Sequence, residues 1–237
     1  GRDARPTDEK GFIAKPYFWG ALETLNRRVL AWGRFADRVF GTKSRRQGML
    51  YGIISDTHGS LVAWRKALDG PFSGAHKIIH AGDVFYHGTR NPMPEGYDTL
   101  RLAEAINQCE LPIAVAMGNC DSEVDQMVCD VPIVHPFLVL DEHGARIMVQ
   151  HWQHGGDVEL MELIERFRPR IFITGHTHVP ELRVEAETLI LNPGSPSLTK
   201  RDDDKKTVAK LDVNAGGTVR ASILDIESGQ VLDEIGL

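Results

Sequence analysis

Asp56-Thr57-His58, Gly82-Asp83, Gly118-Asn119-Cys120-Asp121, a lone His151 and Gly175-His176-Thr177-His178 stand in that order along the chain, each just past a short apolar run. Carboxylate oxygen, amide oxygen and imidazole nitrogen are the donors that divalent cations take. In Asp56-Thr57-His58 the first and third side chains leave an extended backbone on the same side, so one carboxylate and one imidazole can hold a single ion. His176 and His178 flank Thr177 on a tight turn, and two imidazoles so placed can reach two different ions. Asp83 follows Gly82, whose missing Cβ lets the chain turn close to a cation, and Asn119 adds a neutral oxygen. Taken singly, each motif is more often a turn or a satisfied core group. Gly118 to Asp121 also reads as a helix start, with Asp121 or Ser122 capping Glu123 to Val128. All five in order on strand ends predict one ring of metal-binding side chains, which is how a two-metal hydrolase is built. The other histidines, His76, His80, His87, His135, His143 and His154, have no comparable setting and read as core or surface groups.

The elements that must position these donors alternate from Met49 onward. Strands are predicted at 49–55, 77–80, 113–117 and 170–174, with helices at 61–68, 98–109 and 158–167. Val131 to Leu140 and Ala145 to Gln150 read as paired strands around the turn Asp141-Glu142-His143-Gly144. Beyond Glu181 the chain changes to short runs punctuated by Gly, Asn and Asp, which are hairpin signals. Crossovers and hairpins together predict a two-sheet α/β sandwich with flanking helices. The C-terminal ends of its parallel strands would converge on one crevice.

Residues 1–48 carry 11 Lys/Arg against 5 Asp/Glu, whereas residues 49–237 carry 16 against 28, which together give the net charge of −6. An acidic body argues against bulk nucleic-acid binding, because phosphate backbones are held by basic patches. No apolar run approaches the roughly 20 residues that cross a bilayer, and Gly1 to Lys15 holds no signal-peptide core. Three cysteines, Cys109, Cys120 and Cys129, without framework spacing suit a reducing compartment, so a cytoplasmic location is expected. The polar run Thr42 to Gly48 divides the sequence into an N-terminal extension, 1–48, and a catalytic domain, 49–237. Within the extension Phe18, Leu22, Leu25, Val29, Trp32, Ala36 and Val39 recur at helical spacing, with Arg27, Arg28, Arg34 and Arg38 largely off that stripe. This predicts an amphipathic helix from about Trp19 to Phe40. Its occupant is either an anionic membrane surface or partner, or its own acidic domain or a second subunit; the second pair is the commoner use of such a helix.

The ordered set resembles the calcineurin-like metallophosphoesterases, which show D-x-H, GD, GN-x-D, a lone H and GHTH in this order. More narrowly it is similar to the YfcE-type bacterial phosphodiesterases, through His87 to Tyr97, Gly118 to Met127 and Asn192-Pro193-Gly194-Ser195, over about residues 49–235. The resemblance implies one metal held by Asp56, His58, Asp83 and His178 and a second by Asp83, Asn119, His151 and His176, with Asp83 bridging. It implies Mn²⁺ as the usual ion, with Fe²⁺ or Zn²⁺ also suited to oxygen and imidazole ligation. The implied reaction is hydrolysis of a small phosphodiester by a hydroxide bridging the two ions. A phosphomonoesterase or nucleotide pyrophosphatase is the enzymatic alternative, and a noncatalytic scaffold, as in the retromer subunit of this fold, is the other. Two departures from the family stand out. Cys120 occupies the position where many relatives have a leaving-group His, and a thiol of pKa ~8.5 suits that duty poorly. His151-Trp152-Gln153-His154 replaces the usual H-G-H, with His154 a candidate substitute for the second His. Arg90, in the loop 87–97, reads either as a phosphate contact or as an ion-pair partner of Glu95 or Asp98. Asn192 to Ser195 reads as a support for the 176–178 loop.

Overall fold

The structure is a computed structural model and describes residues 48–153 and 155–237. The helix expected at 19–40, and with it the domain boundary upstream of Gly48, lies outside the described residues, as does His154.

Among the described residues twelve strands and four helices are present, and the strands form two sheets packed face to face. The first sheet has the order β12-β11-β10-β1-β2-β3-β4, formed by β1 (Met49–Ile54), β2 (Lys77–His80), β3 (Ile113–Ala116), β4 (Ile133–Val134), β10 (Thr207–Val213), β11 (Val219–Asp225) and β12 (Val231–Gly236). The second has the order β5-β6-β7-β9-β8, formed by β5 (Leu138–Glu142), β6 (Ala145–Val149), β7 (Ile171–Ile173), β8 (Glu181–Glu185) and β9 (Thr188–Asn192). Strands β1 to β4 are parallel, as are β6, β7 and β9. The C-terminal meander β10-β11-β12 joins β1 antiparallel. Helices α1 (Leu61–Asp69) and α2 (Thr99–Asn107) cover the first sheet, and α4 (Asp157–Phe167) covers the second; α3 (Asp125–Val128) is a single turn.

The alternation of side chains along β1 shows how the layers form. Tyr51 and Ile53 point into the core between the sheets, against Leu140, Ile147, Ile171 and Leu189. Ile54 points the other way, into the layer made with Trp64, Leu102 and Ile106 of α1 and α2. Gly52 lies under Phe72, whose ring would sit 2.7 Å from an added Cβ. Strands buried on both faces need apolar residues at consecutive positions, and this is why β1, β2 and β3 are near-continuous apolar runs. The third layer joins Met148, Phe172 and Ile190 to Leu160 and Ile164 of α4.

Two expectations are corrected. Val131 to Leu140 is not one strand: β4 ends on Val134 in the first sheet, and β5 starts at Leu138 in the second. Pro132 and Pro136 bracket the short β4, and neither can donate to a ladder, so the chain leaves one sheet and joins the other between them. Nor does Asp121 or Ser122 cap a helix over 123–128. The helical turn is confined to 125–128 without a side-chain N-cap, and Asp121 bonds elsewhere, as described below.

Candidate metal centre

Each predicted donor sits at the C-terminal end of a parallel strand or in the loop just beyond it. Asp56 and His58 follow β1, Asp83 follows β2, Asn119 follows β3, His151 follows β6, and His176 and His178 follow β7. Both sheets aim these ends at one edge of the sandwich, where Asp56, His58, Asp83, His151 and His178 meet; His176, edge-on to His151 with ring centroids 5.3 Å apart, and Asn119 stand beside them, outside these groups. His58 Nε2 lies 3.7 Å from Asp56 Oδ1 and 3.7 Å from Asp83 Oδ2. His151 Nε2 lies 3.3 Å from Asp83 Oδ2 and 3.8 Å from Asp56 Oδ1, and His178 Nε2 lies 3.3 Å from Asp56 Oδ1. His176 Nδ1 and Asn119 Oδ1 are 2.8 Å apart on the more open side. Three overlapping groups could hold a cation: Asp56 with His58 and His178, Asp56 with Asp83 and His151, and His58 with Asp83 and Cys120. The last brings in Cys120, which the sequence reading placed at a leaving-group position and not among the donors.

Ring orientation is fixed from behind. Nδ1 of His58 bonds the Tyr86 carbonyl at 2.8 Å, Nδ1 of His151 the Ala81 carbonyl at 2.8 Å, and Nδ1 of His178 the Leu198 carbonyl at 2.5 Å. A carbonyl only accepts, so in each ring the proton is on Nδ1 and Nε2 faces the cluster. Two bare nitrogens, His58 Nε2 and His178 Nε2, thereby stand 3.1 Å apart. Asp56 Oδ1 is buried without a hydrogen-bond partner. Lone pairs directed at one another in a dry interior repel. Ligands ~2.1 Å from an ion and at right angles to each other are ~3 Å apart. The donor set therefore fits a cation among these atoms.

The charges agree. Burial alone would raise Asp56, but His178, His151 and Ser55 hold its carboxyl well below the usual range. Burial would likewise raise Asp83, which His151 and the Cys120 amide keep low. Burial pushes His58 and His176 down, towards neutral rings. His151 goes the other way: desolvation opposes its charge, yet Asp83 and Asp56 carry it up to about 9. Burial and then the Asp83 carboxylate push the Cys120 thiol up to about 12, so it stays a neutral thiol near pH 7.

Residues outside the predicted donor ring hold this cluster in place. The Asp121 carboxylate accepts the backbone N–H of Asp83, Val84 and Gly118 at 2.8, 2.7 and 2.7 Å, tying the second and third loops together. Buried His80 accepts Gly82 N–H at Nδ1 (3.2 Å) and meets Thr57 Oγ1 at 2.9 Å, and Thr57 in turn donates to the Val84 carbonyl. His80 thus joins the first loop to the second. Its burial drives the ring pKa down to about 3, so it works as a neutral bridge. Ser195 and Ser197 donate to the Asp56 carbonyl. The predicted support by Asn192 is present: its amide donates to Gly175 O at 2.8 Å and Thr177 Oγ1 at 3.1 Å. Gly82 keeps the close approach argued above, since a Cβ there would fall 2.8 Å from His151 Nδ1. The predicted ion pairs of Arg90 are not made: Glu95 faces Lys206 and Asp98 faces Arg101.

Trp152, at the family's Gly position, has φ +70°, a conformation that glycine adopts freely. Its indole turns to the outer face of the second sheet, edge-on to Phe172 at 5.6 Å, and leaves the cluster clear.

Residues 49–216 match the calcineurin-like phosphoesterase superfamily domain. The chain belongs to that superfamily. The matched phosphoesterase domain and the named relatives below make it a metal-dependent phosphoester hydrolase. The phosphodiesterase YfcE of Escherichia coli K12 is 37% identical over 149 residues, which are 62% of this chain and 79% of that protein. A solved structure of the same E. coli phosphoesterase superposes with a TM-score of 0.66 at 29% identity, covering 79% of this chain and 98% of that one. Vps29 of Entamoeba histolytica, solved with Zn²⁺, shares the fold alone, with a TM-score of 0.53 at 18% identity over 80% of this chain and 98% of its own.

Proposed function

We propose that this phosphoesterase hydrolyses a small phosphodiester with two divalent cations, Asp56, His58, Asp83 and His178 holding one and Asp83, Asn119, His151 and His176 the other. The observation that carries the reading is the facing pair of bare nitrogens, His58 Nε2 and His178 Nε2, at 3.1 Å. When bound, the cations supply a lowered water pKa and neutralise charge on the phosphoryl oxygens. Mn²⁺ is the ion favoured here, and Fe²⁺ and Zn²⁺ suit the same donors.

The chain's own groups set the rest of the chemistry. The two buried carboxylates remain ionised and leave the centre able to take a phosphodiester's single charge once loaded. Cys120, kept a neutral thiol, is a weak acid for an expelled alkoxide and a weak nucleophile, so water is the attacking group. That favours esters whose leaving group needs little protonation. The asymmetry of burial supports an open side for substrate: Asp56, His58, Asp83, His151 and His178 are buried, whereas His176 is half-buried and Asn119 exposed. The named phosphodiesterase relative supports diester over monoester, and three free cysteines are in keeping with the cytoplasm.

The test is hydrolysis of an activated aryl phosphodiester and the matching monoester by full-length protein, stripped of metal and then reloaded with Mn²⁺. The diester should turn over only after reloading, and His176→Ala should abolish the turnover. Equal rates with and without Mn²⁺ refute the proposal, and a faster monoester reaction moves it to a phosphomonoesterase.

A further inference from the structure

A groove of about 1320 Å³ runs along α4 and opens at the end of the strands opposite the metal centre. Ala145, which opens β6, and Thr188, which opens β9, both line it. Its α4 wall presents Val158, Met161, Glu162 and Glu165, a spacing that puts all four on one helix face. Val158 is 71% and Met161 38% exposed, large apolar side chains left in water between acidic neighbours. Arg146, Arg168 and Arg170 also line the groove, but Asp141, Asp157, Glu162, Glu165 and Glu187 outnumber them, and Arg146 is taken up by Asp141 at 2.8 Å.

The sequence supplies a segment of matching character. Its stripe Leu22, Leu25, Val29, Trp32, Ala36 and Val39 is flanked by arginines, and residues 1–48 carry an excess of positive charge while the body carries twice as much negative. The chain also enters the body at the correct end. Met49 starts β1, parallel in direction to the strands whose C-terminal ends carry the donors, so it lies at the same end of the sandwich as the groove. Residues 41–48 can span at most about 26 Å. Crossing one sheet spacing of ~10 Å and one helix layer of ~10 Å is within that reach.

We propose that residues 19–40 fold back on their own domain as a basic amphipathic helix, seating the apolar stripe on Val158 and Met161 and the arginines against Asp157, Glu162 and Glu165. A helix of that length is ~33 Å long, enough to run along all of α4. The docking is intramolecular and independent of the phosphodiesterase reading.

Hydrogen–deuterium exchange of the full chain, read on peptides from 19–40 and 157–165, tests it. Amides of 19–40 should be protected at least tenfold over free-chain rates, equally at low and high protein concentration. The surface variants Val158→Glu with Met161→Glu, and separately Glu162→Arg with Glu165→Arg, should each remove that protection while the circular dichroism of the body is kept. Free-chain exchange of 19–40 in the unmodified protein overturns the proposal, as does protection that survives both variants. Protection that rises with protein concentration assigns the segment to a second copy, and protection seen only with anionic vesicles assigns it to a membrane; either result also overturns it.

Discussion

Removing metal should leave a proton behind. His151 donates Nδ1–H to the Ala81 carbonyl, so its Nε2 lone pair faces Asp83 Oδ2 at 3.3 Å and Asp56 Oδ1 at 3.8 Å in a fully buried setting. Two carboxylates around an imidazole outweigh its desolvation and carry its pKa from 6.5 up to about 9. His58 and His176 are shifted down and are already neutral at pH 7. One nitrogen, then, is contested between a proton and a cation. With a pKa of about 9, about one molecule in a hundred has that nitrogen free at pH 7, so affinity for the ion at His151 should be ~100-fold lower at pH 7 than above pH 9. The logarithm of affinity should climb with a slope near one in between. The stability of the metal-free protein runs oppositely. The folded pKa lies above the unfolded value, so the contribution is complete below pH 6.5 and is lost as pH rises through 9, on the order of 3 kcal/mol at about 1.4 kcal/mol per unit. Histidine-resolved NMR titration of the metal-free protein reads the His151 ring directly, and Mn²⁺ binding isotherms from pH 6.5 to 9.5 read the linkage. A His151 ring that is neutral at pH 7 without metal, or an affinity flat across that range, would refute the electrostatic account of the centre.

Three other outcomes follow from contacts around the cluster. In Gly118→Ala the new Cβ would fall 2.2 Å from Asp83 Oδ1 and 2.3 Å from Asp83 N; Asp83 must move, and elemental analysis should show lost metal with at least ~100-fold lower hydrolysis, the scale of a misplaced reacting group. Asp121→Ala strands the N–H groups of Asp83, Val84 and Gly118. Denaturant melts should show a loss of about 2–4 kcal/mol and metal titration a 10–100-fold weaker site, whereas an unchanged metal affinity would deny the clamp its role. Lys77→Met leaves Glu142, which accepts from both Lys77 Nζ and Tyr51 Oη between the sheets, without its cation. Urea melts should show a loss of about 3 kcal/mol with kcat unchanged, because Lys77 opens β2 at the end remote from the donors.

The strands, and the side chains that gather at their ends, were legible because each signal is local: an apolar run, then a chemistry-bearing residue within a few positions. The clamps were not, because their partners are distant in sequence. Asp121 reads as a helix cap from its neighbours, and only the packing of the 118–121 loop against Asp83 and Val84 gives it three backbone donors. His80 reads as a core histidine, and it is one; its bridging follows from β1 and β2 lying side by side, which places Thr57 at 2.9 Å. The strand expected over 131–140 failed for a similar reason, since its apolar pattern continues across a point where the chain changes sheets. The outward turn of Trp152 could not be read either, since it depends on a positive φ and a pocket beside Phe172.

That positive φ is part of a wider pattern that bears on how the centre binds. Asp56, His58, Asp83, His176 and His178, five of the seven proposed ligands, have φ between 46° and 69°. A non-glycine residue so held costs ~1–3 kcal/mol, so the five together store on the order of 5 kcal/mol or more. The bonds Asp56 N to Gly82 O at 2.9 Å, His58 N to Asp83 O at 3.0 Å and Gly59 N to Val84 O at 2.8 Å, with the Asp121 and His80 bridges, oppose that strain. The donors are therefore held at coordinating separations by the folded body and need no rearrangement when a cation arrives. A relaxed set of loops would have to be ordered by the ion itself, at the expense of affinity. On the proposed function, then, residues outside the donor set, Asp121 and His80 first among them, govern how tightly the centre holds a cation.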